Sequence, residues 1–259
     1  MDLIVEQRGQ VLLMGLNRPE KRNAFTPELF FELARAYGEL DRNPDLRIGV
    51  VYGVGDHFTA GLDLPAWVPV FSAGKFPDIP EGGINPFGFD PERRVRKPVI
   101  FAVQGICYTI GIELMLAADI RIAAANTSFA QLEVKRGIYP CGGATIRMVQ
   151  EIGWGNAMRY LLTGDEMTAQ DACRMGMIQE VVEPGAELQQ AISLAETIAA
   201  QAPLGVQATL ASARIARSQG DDAAIARLFP DLIPLMNSDD VREGVAAFME
   251  RRPARFAGK

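Results

Sequence analysis

VQGICYTIGIELMLAADIRIAA, residues 103–124, decides how the chain is read. It follows the apolar run Val99 to Val103 and reads as a strand end, a tight turn, a short helix from Ile110 to Ala118 and a second strand from Ile120 to Ala123. Glu113 falls in the first turn of that helix, where unpaired N–H groups and the positive end of the helix dipole favour a carboxylate. That placement alone describes an ordinary helix-stabilising residue. Its neighbours Ile112, Leu114, Met115 and Leu116 leave no polar face, however, so Glu113 is expected to be buried, and a buried carboxylate is a candidate for chemistry.

Working outward, strand, helix and strand alternate. Val11 to Leu16 is a buried strand, and Thr26-Pro27-Glu28 supplies the cap, first-position proline and acidic first turn of a helix carrying Leu29, Leu33, Tyr37 and Leu40 at helical spacing. Ile48 to Tyr52 returns as a strand. The fold class is therefore α/β with largely parallel pairing. GVGDHFTAGLDL, residues 53–64, is a glycine-rich loop without a phosphate-binding fingerprint. It offers backbone N–H groups near Ala60 and Gly61 just before a helix expected over Leu62 to Trp67, and with the turn before Glu113 it would form an oxyanion hole. Residues 68–92, rich in Pro, Gly and Phe, read as a lid or substrate-side wall that carries Phe71, Phe76, Phe87 and Phe89.

A second acid, Glu133, stands twenty residues beyond Glu113 in SFAQLEVKRGIYPCGGATIR, residues 128–147. Lys135 and Arg136 could simply pair with it at the surface. Two carboxyls on one small cavity could instead hold a water and divide acid and base duties, since repulsion and desolvation raise the proton affinity of at least one. Cys141-Gly142-Gly143 then opens another helix and offers further exposed amides.

Composition narrows the classes. With 259 residues, 48% hydrophobic and 22% charged, the chain can bury a sizeable core. A net charge of −6 argues against nucleic acid as a partner, and the basic run Arg93 to Lys97 is expected to be solvated or to meet phosphates. No segment resembles a signal peptide or a membrane span, so a cytoplasmic location is expected. Cys107, Cys141 and Cys173 lie far apart with no CxxC pair, which suits reduced thiols and no metal site. His57, the single histidine, has no GxSxG partner and reads as a structural residue of its loop.

NRPEKRNAF (17–25), HFTAGLDL (57–64), the stretch from Gly105 through ELMLAADIRIA, FAQLEVKRGIYPCGGATIR (129–147), LLTGDEMTAQDACRMGMIQEVV (161–182) and EGVAAFMERRPARF (243–256) together resemble the crotonase superfamily, most closely its enoyl-CoA hydratases. The resemblance implies a crotonase-like ββα spiral core over residues 1–192, a C-terminal helical oligomerisation region over 193–259, and a homo-trimer or dimer of trimers. It implies that the N–H groups of Ala60 and Ile110 bind the thioester oxygen, that Glu113 and Glu133 are catalytic, and that the Cys141 amide orients the water. It further implies that Lys21, Arg22, Ala24, Gly61, Leu62 and Asp63 lie where CoA is bound, with Phe248 at the CoA entrance of a neighbouring subunit. The activity implied is syn addition of water to a trans-2-enoyl-CoA, with coenzyme A entering as part of the substrate and no further cofactor. An enoyl-CoA isomerase would need chiefly one base, and a CoA-thioester-binding protein without catalysis would have lost an acid. Both acids are present. The family's run of three glycines is replaced by Thr109-Ile110-Gly111, which places a β-branched side chain at the second oxyanion position.

Overall fold

β1 (Leu3–Arg8) and β2 (Val11–Leu16) form an antiparallel hairpin in a computed structural model that describes residues 1–259. β2 then pairs in parallel with β3 (Ile48–Gly53) through α1 (Pro27–Arg42). α1 starts where expected, because the Thr26 hydroxyl accepts from the Leu29 N–H at 3.1 Å and Pro27 needs no donor partner there. After α2 (Leu64–Ser72) come β4 (Val99–Val103), β5 (Ile106–Tyr108), α3 (Ile110–Ala117), β6 (Ile120–Ala124) and β7 (Ser128–Ala130). α4 (Ala144–Ile152), α5 (Trp154–Thr163), β8 (Met167–Thr168), α6 (Ala169–Met175), β9 (Glu180–Val182) and α7 (Glu187–Ala199) complete the core.

The main sheet runs β1-β2-β3-β4-β6-β9 and is parallel beyond the first hairpin, while β5-β7-β8 form a small second sheet. β5 lies inside what the sequence suggested was a simple turn before Glu113. All six residues of β2 are buried because the sheet is covered on both faces. Leu12, Met14, Val51 and Phe101 join the larger core with α1 and α3, whereas Leu13, Val50, Ile100 and Ile122 pack with Ala191, Ile192 and Ala195 of α7.

That second layer extends past residue 192, where the sequence divides the chain. A boundary between residues 192 and 193 would cut α7 in its middle, and α7 belongs to the core because its alanine face covers the sheet. The outer helices are α8 (Pro203–Gln219), α9 (Asp221–Ile225), α10 (Leu228–Met236) and α11 (Asp239–Glu250). None of the helices is both long and apolar enough to cross a membrane.

Three other expectations change. α2 begins at Leu64, after Asp63, not at Leu62, and its Trp67 indole donates to the Phe25 carbonyl at 2.8 Å. In the stretch after it, Phe87 is a core residue packed on Phe30, while Phe71 and Phe89 remain exposed. The basic run is neither free nor solvated throughout. Lys97 is buried and donates to the Asn43 carbonyl, Arg94 donates to the Ala117 carbonyl, and Arg96 forms a forked pair with Asp41.

One small polar residue fixes the first loop. Asn23 is wholly buried at φ 52°, accepts from the Arg18 N–H, and donates to the carbonyls of Val54 (3.0 Å) and His57 (2.8 Å). Asparagine tolerates this left-handed backbone better than most residues, and its amide ties the turn after β2 to the glycine-rich loop. Asn23→Ala is expected to cost about 2–4 kcal/mol, since it removes three hydrogen bonds and keeps the backbone strain. Urea unfolding should show this as a lower midpoint with an unchanged slope.

Candidate active site

α3 presents Glu113 from within the core, 5% exposed, where all eight residues of the helix are buried. Its carboxylate is held by the amino-terminal end of another helix. Oε1 accepts from the Gly142 N–H at 2.6 Å and from the Ala144 N–H, the first of α4, at 3.3 Å. Gly142 is required here, because a β-carbon would collide with Oε2 of Glu113 and stand 2.6 Å from the Phe87 ring. Burial pushes the Glu113 carboxyl up to about 7, opposed by these two amides and by the positive charge of Arg147.

Glu133 opens a one-turn 3-10 helix, Glu133–Arg136, just beyond β7. Burial, helped by the charge of Glu113 and opposed by a hydrogen bond from its own amide, raises it to about 7 as well. The two acids thus share one electrostatic environment. Cys141 belongs to the same environment, since burial and then the charges of Glu113 and Glu133 raise its thiol. With its amide turned so that nitrogen faces the acid, buried Gln131 donates to both Glu133 oxygens at 2.9 Å. Reading the sequence missed Gln131, although its position two residues before an acid of interest was a signal. Lys135 leans instead toward Asp165, at 3.9 Å.

The glycine-rich loop is stitched to β5. The Thr59 N–H donates to the Ile106 carbonyl, and the Tyr108 N–H donates to that of Thr59. This pairing corrects one oxyanion assignment: the Ala60 N–H is already engaged, donating to the Arg22 carbonyl at 2.9 Å, and the Gly61 N–H donates to the Thr59 hydroxyl at 3.1 Å. Within Phe58–Asp63, the one amide without an acceptor is that of Leu62. Across from it, the Ile110 N–H at the start of α3 also has no acceptor in the chain, as befits a helix N-terminus. Thr109 brings the two segments together, because its hydroxyl fills the space that a side chain on Gly61 would need. The Cys141 amide likewise makes no hydrogen bond within the protein.

The remaining expected binding residues divide. Lys21 and Arg22 are exposed, with Arg22 in a left-handed conformation at φ 49°, and Ala24 is half-buried beside them. Asp63 is already paired with Arg18 at 3.4 Å, which argues against its side chain as a ligand contact. Phe248 is 81% exposed on α11, in the outer helical layer, whereas the acids belong to the core. A cavity of about 170 Å³ opens beside Cys141, walled by Val70, Phe71 and Phe76. His57 accepts from the Ile106 N–H through Nδ1 and serves its loop. Free N–H groups at Leu62 and Ile110, together with two interacting carboxyls raised to about 7, can stabilise an oxyanion while a proton is moved.

Comparison with known proteins places the whole chain in one family. The profile described as enoyl-CoA hydratase/isomerase matches residues 6–259. An enoyl-CoA hydratase of Mycobacterium tuberculosis is 36% identical over all of this chain and 97% of its own, and a crotonyl-CoA hydratase of Syntrophomonas wolfei is 32% identical over all of this chain and 98% of its own. Among solved structures, a probable enoyl-CoA hydratase/isomerase from Mycobacterium abscessus superposes with a TM-score of 0.96 at 51% identity, covering 100% of this chain and 99% of that one. The chain belongs to the enoyl-CoA hydratase/isomerase family, the crotonase family.

Proposed function

We propose that this enzyme is an enoyl-CoA hydratase in which Glu113 and Glu133 add one water across the double bond of a trans-2-enoyl-CoA. The observation that carries the reading is the pair of interacting carboxyls, both raised to about 7, beside two unpartnered amides. The thioester oxygen accepts from the N–H groups of Leu62 and Ile110, which draws electron density from the β-carbon. Glu113, oriented by Gly142 and Ala144, holds the water and takes its proton as the oxygen bonds to the β-carbon. Glu133 gives its proton to the α-carbon from the same side, and the pair returns to its starting state by exchange with solvent. The Cys141 amide supplies a further donor near the water.

The apolar cavity against Val70, Phe71 and Phe76 suits the acyl chain, and the exposed Lys21-Arg22 turn suits the CoA phosphates. Gly61 and the half-buried Ala24 line the approach as backbone, and CoA enters only as part of the substrate. We propose a cytoplasmic homo-trimer or dimer of trimers, because Leu228, Phe229, Ile233, Met236, Phe248 and Met249 leave a large apolar surface on the outer helices. In such an assembly Phe248 would border a neighbour's CoA entrance.

Glu113→Gln and Glu133→Gln are each expected to lower hydration of crotonyl-CoA by roughly 10²–10⁴-fold, read as loss of enoyl absorbance and of a product heavier by one water. Turnover by either variant at the wild-type rate would remove that acid from the mechanism. Because one carboxyl must be charged and the other protonated, kcat/KM should fall on both sides of neutrality.

Stability has its own sign. Glu113 binds its proton more tightly in the fold, near 7, than at its ordinary 4.5, so the resulting stability is complete below the lower value and lost as pH rises through the higher. Glu113→Gln should therefore raise the melting temperature relative to wild type more at pH 8.5 than at pH 5. Equal differences at the two pH values would contradict the buried-acid assignment. Sedimentation should find three or six copies, and a monomer at micromolar concentration would refute the assembly.

A further inference from the structure

A second cavity, of about 740 Å³, lies on the far side of α4 between the stretch around Phe89 and helix α8. Its walls carry the guanidinium groups of Arg94, Arg147, Arg214 and Arg217, with the amides of Gln150 and Gln207 between them. Such a gathering is electrostatically costly, and burial and the neighbouring arginines lower Arg94 to about 10 while burial and Arg217 lower Arg147.

The protein's own carboxylates answer only part of this charge. Asp119 pairs with Arg214 at 3.0 Å and also favours the charged form of Arg94. Glu151 pairs with Arg217 at 2.8 Å but is shared with Arg121 at 2.9 Å. Arg96 and Arg227, at the margins, have Asp41 and Asp231. Arg94 and Arg147 make no carboxylate pair, and donate only to the carbonyls of Ala117 and of Phe87 and Gly142. Glu92 stands exposed at the rim. Nε of Arg214 is buried without any acceptor. Arg214 and Arg217 therefore fasten α8 to the core, but nothing in that fastening calls for Arg94 and Arg147.

We propose that this cavity is a binding site for a small anion of the carboxylate or phosphate class, held by Arg94 and Arg147 with Arg217 and the two glutamines as further donors. Guanidinium groups match the oxygens of either anion in forked geometry, and an anion would supply the missing counter-charge. Two sources share this chemistry. The anion is either a terminal carboxylate on the acyl group of the thioester or a free small anion bound beside the catalytic pocket. Only the first source rests on the hydratase reading.

The test has a binding arm that needs no turnover. Inorganic phosphate and glutarate, each compared with sodium chloride at equal ionic strength, should raise the melting temperature of the wild-type protein saturably. The shift should disappear in Arg94→Gln and weaken in Arg217→Gln, whose partly exposed side chain makes it the safer variant for folding. A kinetic arm separates the sources, comparing a trans-2-enoyl-CoA that ends in a carboxylate with one of equal length that ends in a methyl group.

If the substrate supplies the anion, Arg94→Gln should lower kcat/KM for the carboxylated thioester about tenfold or more, leave the methyl-ended one unchanged, and glutarate should compete with the former. If the anion is free, glutarate binding should be indifferent to either thioester and both should respond alike to the substitution. No saturable shift beyond the chloride control, or a shift that persists in both variants, overturns the site. An absence of hydration with the shift intact would instead refute only the hydratase reading.

Discussion

A carboxylate buried in an apolar helix is unstable unless something replaces its water, and for Glu113 the replacement is the amino-terminal end of α4. Desolvation and the two amides act in opposite directions on its proton. The amides orient Oε1 without cancelling the cost of burial, and the acid is left able to exchange a proton near neutral pH. Much of the surrounding fold serves this compromise. α3 is buried all round, Phe87 packs from the substrate-side stretch, and position 142 has no side chain because there is no room for one. A weaker amide clamp would leave the acid displaced or permanently neutral, and a wetter one would leave it an ordinary glutamate.

The free amides of Leu62 and Ile110 depend on a different kind of constraint. Thr109 adopts φ 48° and ψ −112°, a backbone conformation that suits glycine and costs a β-branched residue about 1–3 kcal/mol. It is held there by the small sheet and by α3: its N–H donates to the Ala130 carbonyl of β7, and its own carbonyl accepts from the N–H groups of Ile112 and Glu113. Its buried hydroxyl has no hydrogen-bond partner and abuts the α-carbon side of Gly61. The threonine that departs from the family's glycine run is thus accommodated by a glycine on the facing loop. The strain sits immediately before the Ile110 amide, where backbone direction matters most.

Elements specified by local rules were legible from the residues. The Thr26 cap, the apolar stripe of α1, the buried strands and the strand-helix-strand around Glu113 all follow from spacing and side-chain type. The burial of Glu113 was legible too, because an unneutralised glutamate among aliphatic residues is chemically conspicuous. Features set by tertiary hydrogen bonds were not. Nothing in TAGLD distinguishes the Ala60 amide from that of Leu62, and only the approach of the Arg22 carbonyl decides between them. The alanines of α7 look like those of the outer helices until the sheet face they cover is known. The basic run at 93–97 looked solvated because its acceptors, Asp41, Asn43 and Ala117, come from other elements.

α4 joins these themes, since one nine-residue helix orients the acid at its start and organises positive charge along its length. Gly142 and Ala144 direct amides at Glu113, Arg147 lies one turn further and feels that carboxylate, and Glu151 near the end pairs with Arg121 and Arg217. Through Arg217 the helix reaches α8, and through Arg214 α8 reaches Asp119, whose other oxygen accepts from the Val99 N–H at the start of β4. The outer helices are therefore fastened to the same strand-and-helix unit that carries Glu113. Any charge that settles beside Arg147 alters the field at Glu113, and the arginine-lined cavity is coupled to that carboxyl by position alone.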